Sequence, residues 1–421
     1  MTRDEELLRR DARAVWHPYT QHGADPAPLA VRAAHGARLE LTDGRSIVDA
    51  ISSWWCCLHG HGRQEIAAAI ADQARRLDHV LFAGCTHEPA VTLAERVLAL
   101  APPGLERVFF SDNGSTAVEV ALKMALQVHS HRGQPQRRVF VALAGAYHGD
   151  TFGAMAVGDP EPFFLPFVPL LFEVVRVPAD ATAVARALDE LGPRAAGVVL
   201  EPLVQGAAGM QMHGVDFVRA VRALCTAREL PLVADEVMTG FGRTGAVFAC
   251  ERADIAPDYL CLAKGLTGGT LPLAATLTTG AVFEQFRAAD RRRTFFHGHT
   301  FTANPIACAA ALASLDLLAR ERTPERLDSL GARIEAGLRE RGQRVRRTGG
   351  IVAFDLPMPA GGPAGHLQAQ APRWRQIALA GGVLLRPLGP VVYAMPPSCT
   401  SDADADAIVR AMLAIAAAAK A

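Results

Sequence analysis

The sequence predicts an α/β fold, with a large domain whose mostly parallel sheet is flanked by helices and a smaller α+β domain beside it. Three observations predict this. Short apolar β-type runs recur through the middle of the chain. Helical patterns stand between several of those runs, which is the signature of an α/β domain. Beyond about residue 325 the texture changes to short strands between helices. The expected organisation is a large domain over 56–325 and a small C-terminal domain over 326–421, with segment 1–55 packing on the small domain.

The apolar runs fall at 108–110, 139–142, 198–200, 232–234, 260–263 and 274–277. One helix start is read at Thr116-Ala117-Val118-Glu119, a capping-box pattern ahead of apolar residues 120–128. A second is Asn304-Pro305, with Asn as N-cap and Pro at the first helical position, opening 306–319. In the last third, 349–355 and 383–386 read as short strands. Ser401 reads as the N-cap of a C-terminal helix with Asp402, Asp404 and Asp406 near its positive end.

The 421 residues carry 43 basic and 43 acidic side chains, so formal net charge is zero. Nothing here is the footprint of a nucleic-acid partner or a polybasic membrane patch. Arg291-Arg292-Arg293 and Arg344-Val345-Arg346-Arg347 are short enough to be solvated surface. Eight cysteines include the adjacent pair Cys56-Cys57, but none has C-x-x-C or zinc-ligand spacing, so no metal is expected. No apolar run reaches membrane-spanning length, and the charged Met1-Thr2-Arg3-Asp4 start lacks a signal-peptide core; the expected setting is the cytoplasm.

Two strand ends carry the chemistry. Leu230-Pro231-Leu232-Val233-Ala234 ends on Asp235, and Tyr259-Leu260-Cys261-Leu262-Ala263 ends on Lys264. An acid and an amine side by side at the mouth of a buried sheet suit pyridoxal phosphate (PLP). Lysine can form a Schiff base with it, and aspartate can hold the pyridine nitrogen protonated, making the ring an electron sink. A lysine at the end of a buried strand also has a depressed pKa, which favours the free amine. Ser111-Asp112-Asn113-Gly114-Ser115-Thr116 offers small residues before a helix start, where backbone N–H groups can bind a phosphate. The same stretch also suits an ordinary strand-to-helix turn. Neither G-x-x-x-x-G-K-[ST] nor G-x-G-x-x-G occurs.

The order of these motifs resembles the class-III group of PLP-dependent, fold-type I aminotransferases. The matching residues are Asp112 through Thr116, Glu201-Pro202, Asp235-Glu236-Val237, Gly240-Phe241-Gly242-Arg243-Thr244-Gly245, Lys264-Gly265, Thr300-Phe301 and Asn304-Pro305, which span most of the chain. Within that group, His17-Pro18-Tyr19-Thr20, Ser52-Ser53-Trp54-Trp55, Tyr147-His148-Gly149-Asp150 and Arg386-Pro387 are similar to the biotin-synthesis branch. That branch transfers an amino group from S-adenosylmethionine to 8-amino-7-oxononanoate. His299 before Thr300 departs from the proline common in relatives.

The resemblance implies roles residue by residue. Lys264 binds PLP and shuttles a proton. Asp235 pairs with the ring nitrogen, Val237 and Tyr147 cover the two ring faces, and the Gly114 and Ser115 amides cradle the phosphate. Thr300 reaches the phosphate of a second copy, so a homodimer with shared sites is implied. Tyr19, Trp54, Trp55, Asp150, Arg243 and Arg386 are expected on the substrate side, with Arg386 as carboxylate ligand. Glu201 is expected to hydrogen-bond near the cofactor. Competing readings are an ω-aminotransferase for 4-aminobutyrate or ornithine, lysine in place of S-adenosylmethionine as donor, a PLP-binding protein without transfer activity, and an aminomutase.

Overall fold

The computed structural model describes residues 3–161, 164–357 and 370–420. Its centre is a seven-stranded sheet in the order Leu105–Ser111, Ala274–Thr279, Tyr259–Leu262, Leu232–Asp235, Ala195–Leu200, Val139–Leu143, Val174–Val177. Ala274–Thr279 runs antiparallel to both neighbours. The other pairs are parallel.

The strands are apolar on both sides because both faces are covered. Alternation along Tyr259–Leu262 shows it. Tyr259 and Cys261 face the helix Gly114–His131, packing with Ala117, Val118 and Ala121. Leu260 and Leu262 face Leu93, Ala307, Ala311 and Leu315 from the helices Glu88–Leu100 and Pro305–Arg320.

Asn304 caps Pro305–Arg320 by accepting from the Ala307 amide at 3.0 Å. The helix expected to open at Thr116 opens earlier. Its N-cap is Asn113, whose side chain accepts from the Thr116 amide, while the Thr116 hydroxyl accepts from the Asn113 amide. Glu119, read as the reciprocal cap, lies one turn further on and instead accepts from the Gly153 and Ala154 amides at 2.6 and 3.2 Å, capping the helix Phe152–Val157.

A three-stranded antiparallel sheet, Arg346–Thr348, Ile351–Asp355 and Val391–Ala394, packs with the helices Thr323–Arg339 and Asp402–Ala418. Ser401 caps the last helix through the Asp404 amide. Val383–Leu384 does not join that sheet; it pairs with the N-terminal strands Val31–His35, Arg38–Leu41 and Ser46–Asp49 in a four-stranded sheet, running parallel to Ser46–Asp49. An Arg38–Asp404 ion pair further ties the N-terminal strands to the last helix.

Candidate active site

In the parallel register Asp235 stands beside Cys261, which puts Asp235 and the Lys264 turn at the same end of adjacent strands. Asp235 is 5% exposed. Its Oδ1 accepts from the Val237 amide at 3.0 Å and its Oδ2 pairs with His148 Nδ1 at 2.7 Å. A carboxylate retains further lone pairs beyond these two bonds. Burial pushes the His148 pKa down, but its hydrogen bond to Asp235 and the charges of Asp235 and Glu201 outweigh this, and the net direction is up. Glu201 ends the Ala195–Leu200 strand and accepts from the Tyr147 and Gly206 amides at 3.2 and 2.9 Å.

Lys264 follows the Tyr259–Leu262 strand at φ +41°. Burial lowers its pKa, against the opposing pull of the Asp235 and Glu201 carboxylates. Its Nζ lies 4.8 Å from the centre of the Trp55 ring. Lys264 and Asp235 line one cavity of about 690 Å³, together with Gly114, Ser115, Tyr147 and Val237.

The anion end of that cavity is the start of the helix Gly114–His131, whose first amides have no partner within the helix. A Cβ on Gly114 would lie 2.6 Å from Val237 Cγ1, so only glycine lets this backbone come so close to Val237. The loop after Tyr147 closes over the cradle. Ser115 Oγ accepts from the Thr151 amide at 3.0 Å, and a Cβ on Gly149, at φ +120°, would strike Ser115.

The opposite end is aromatic and charged. Tyr19 donates to Asp150 Oδ2 at 2.6 Å, and the Tyr19 and Tyr147 hydroxyls are 2.9 Å apart. Burial, then the Asp150 hydrogen bond, push the Tyr19 pKa up to about 12. Tyr19 meets Trp54 edge-on at 5.4 Å, and the Arg386 guanidinium stacks 4.6 Å from the Trp54 ring centre. Trp54 and Trp55 sit on a turn in which Ser52, Ser53, Trp54 and Trp55 have φ of 49°, 54°, 122° and 72°. Left-handed backbone costs L-residues roughly 1–2 kcal/mol each, so the turn stores on the order of 4–8 kcal/mol.

An amine beside a carboxylate-buttressed pocket, with an amide cradle in the same cavity, suits an aldehyde cofactor that carries a phosphate. The class-III aminotransferase profile matches residues 19–416. The chain belongs to the class-III aminotransferases. Among class-III aminotransferases, the adenosylmethionine-8-amino-7-oxononanoate aminotransferase of Synechococcus elongatus is 48% identical over 94% of this chain and 97% of its own length. That of Geobacter sulfurreducens is 40% identical over 96% of each. The crystal structure of the Methanocaldococcus jannaschii enzyme of the same name matches with a TM-score of 0.92 at 34% identity, covering 97% of this chain and 99% of that one. A PLP-bound amine transaminase from an uncultivated Pseudomonas species matches with a TM-score of 0.89 at 32% identity, covering 96% and 98%. The fold is that of the PLP-dependent transaminases, and the class-III cofactor is PLP.

Against this class-III frame, Lys264, Asp235, Tyr147, Val237, Gly114, Ser115, Asp150 and Trp55 all line the one cavity. Tyr19, Trp54 and Arg386 join it through the contacts above. Arg243 is placed differently. It is 1% exposed and donates to the carbonyls of Pro396 at 2.9 Å and Trp55 at 3.4 Å, so it supports the tryptophan turn from behind. Thr300 is exposed on the surface and does not line the cavity of its own chain. His148 had no expected role; its partner Asp235 is 87 residues away, and only the fold brings them together.

Proposed function

We infer that this chain carries the amino group of S-adenosylmethionine to 8-amino-7-oxononanoate, giving 7,8-diaminononanoate in biotin synthesis. The observation that carries the reading is the composite far wall of the cavity: Tyr19, Asp150, Tyr147, Trp54 and Arg386 in one connected cluster. Two dissimilar substrates must use one site in turn. Both bear a carboxylate, which a guanidinium can grip in bidentate fashion, and Arg386 is held ready on Trp54. The indole faces suit an adenine or a methylene chain. Asp150 and the two tyrosine hydroxyls suit the acceptor's amine or the sulfonium.

PLP fits the residues present: Lys264 for its aldehyde, Asp235 for its ring nitrogen, Val237 and Tyr147 for its faces, and the Gly114 and Ser115 amides for its phosphate. Bound there, it supplies an electrophilic carbon for the amine and a ring that withdraws electrons from the neighbouring C–H bond. The chain does the rest. Lys264 Nζ, whose pKa burial lowers, takes the proton from the substrate Cα and returns it in the reverse half-reaction. Asp235 is fixed in place by His148 and the Val237 amide, which leaves it lone pairs to meet the ring nitrogen. Tyr147 and Asp150 orient the donor and then the acceptor.

Two copies complete the site in this reading. Thr300 lies between Phe296 and Phe301, which are 76% and 60% exposed, on a segment suited to cover a second copy and reach its phosphate cradle. Eight free thiols fit a reducing cytoplasm. The test is spectroscopic. The purified holoenzyme is yellow, S-adenosylmethionine bleaches it, and 8-amino-7-oxononanoate restores the colour. Bleaching by lysine alone would move the donor assignment to lysine, and product from a single amine without acceptor would mean an isomerase.

A further inference from the structure

The left-handed turn at 52–55 contains no glycine, so something must hold four L-residues in a conformation they avoid. Several anchors are remote in sequence: Ser52 Oγ donates to the Met395 carbonyl at 2.8 Å and Trp55 Nε1 donates to the Tyr393 hydroxyl at 2.9 Å. Arg243 holds the far end of the turn at the Trp55 carbonyl; the charged anchor at its entry is Asp49, the last residue of the strand Ser46–Asp49, which is 0% exposed. Its Oδ1 accepts from the Ile51 amide at 3.3 Å. Its Oδ2 accepts from Ser53 Oγ at 2.8 Å and pairs with His61 Nε2 at 2.9 Å. Burial pushes its carboxyl up, but the hydrogen bonds from His61 and Ser53 outweigh this, and the net direction is down. Every oxygen of a buried, ionised carboxylate is therefore committed to the entry of this turn or to His61.

We propose that Asp49 is a positioning residue for amino transfer: through Ser53 and the Ile51 amide it clamps the 52–55 turn, so that Trp54 and Trp55 meet substrate in one pre-formed arrangement. The proposal rests on the reading above that these rings wall the substrate space. Asp49 lines neither end of the cofactor cavity. Trp55 lies under Lys264 and Trp54 carries Arg386 and Tyr19, so loosening the turn blurs three substrate-facing groups together. The loss is one of pre-organisation, which is felt in binding before it is felt in chemistry.

The experiment compares the parent holoenzyme with Asp49→Asn and Ser53→Ala. Asparagine keeps an acceptor but loses the charge; Ser53 is exposed, so alanine there removes one clamp bond without touching the core. Both variants are expected to keep the cofactor absorbance and kcat within about twofold, while KM for both substrates rises about tenfold, the scale of one hydrogen bond to a charged group. Amide hydrogen exchange at residues 52–56, read by mass spectrometry without substrate, is expected to quicken about tenfold. A merely structural Asp49 would lower the melting temperature and leave KM and this exchange alone. Unchanged KM and exchange in the folded variants overturn the proposal, and so does a fall in kcat that comes with loss of the cofactor band. If Asp49→Asn does not fold, Ser53→Ala decides. A parent enzyme that fails to turn over the two substrates refutes the functional reading instead, and exchange alone then decides the clamp.

Discussion

Replacing Glu201 by glutamine should change how stability depends on pH, by an amount that follows from its surroundings. Glu201 is 6% exposed, and burial, reinforced by Asp235 and opposed by His148, pushes its carboxyl up from an ordinary 4.5 to about 7. Between those values the folded chain holds a proton that the unfolded chain has released. Folding is therefore favoured at low pH, and that contribution is lost as pH rises from 4.5 through 7. A rise from 4.5 to about 7, at about 1.36 kcal/mol per pH unit, is worth about 3 kcal/mol. His148 acts in the same sense: its pKa is raised, so its contribution is present below its ordinary 6.5 and lost as pH climbs through the higher folded value. Glutamine cannot ionise. It also cannot accept from both the Tyr147 and Gly206 amides with two oxygens, which costs about 1–3 kcal/mol at every pH. The two effects have opposite signs at high pH, so the curves converge or cross. Urea unfolding of cofactor-free protein at pH 5, 6, 7 and 8 should show Glu201→Gln less stable than the parent at pH 5, with the gap closing by about 2.5 kcal/mol by pH 8. Parallel curves would refute the claim that this carboxyl is protonated by its burial.

Three further outcomes are expected. Lys264→Ala should still take up PLP through the Gly114 cradle and Asp235 but turn over nothing; normal steady-state rates in that variant would remove Lys264 from proton transfer. Gly114→Ala places a methyl 2.6 Å from Val237 Cγ1, an overpacking expected to cost about 1–3 kcal/mol and to weaken PLP binding, measured by denaturation and cofactor titration. Arg386→Lys keeps the charge but loses both the bidentate fork and the stack on Trp54, so KM for both substrates should rise at least about tenfold while the cofactor spectrum stays unchanged.

What was legible in the sequence is what local rules determine. Asp235 and Lys264 could be placed at strand ends because apolar runs lead into them, and parallel pairing then sets them at the same end of adjacent strands. The Val174–Val177 strand was not read, because it is four residues long with Arg176 inside it, and the Arg176 side chain is satisfied by the Gly158 and Ala156 carbonyls rather than by solvent. Glu119 matched a capping pattern yet caps a different helix, because a side chain bonds whichever orphan amides the fold delivers. The tryptophan turn was the least legible part. Nothing in Ser52-Ser53-Trp54-Trp55 favours positive φ, and its anchors at Tyr393 and Met395 lie more than 300 positions downstream. The cofactor end of the site thus rests on strand geometry that any chain with these runs would reproduce. The substrate end of the proposed site rests on long-range contacts that hold a local conformation against its own preference, next to where Val383–Leu384 from the C-terminal part of the chain pairs with Ser46–Asp49. On the proposed reading, the groups that would meet substrate are therefore held by the docking of the two ends of the chain. A substitution that loosens Val383–Leu384 from Ser46–Asp49 should reach the tryptophans before it reaches Lys264.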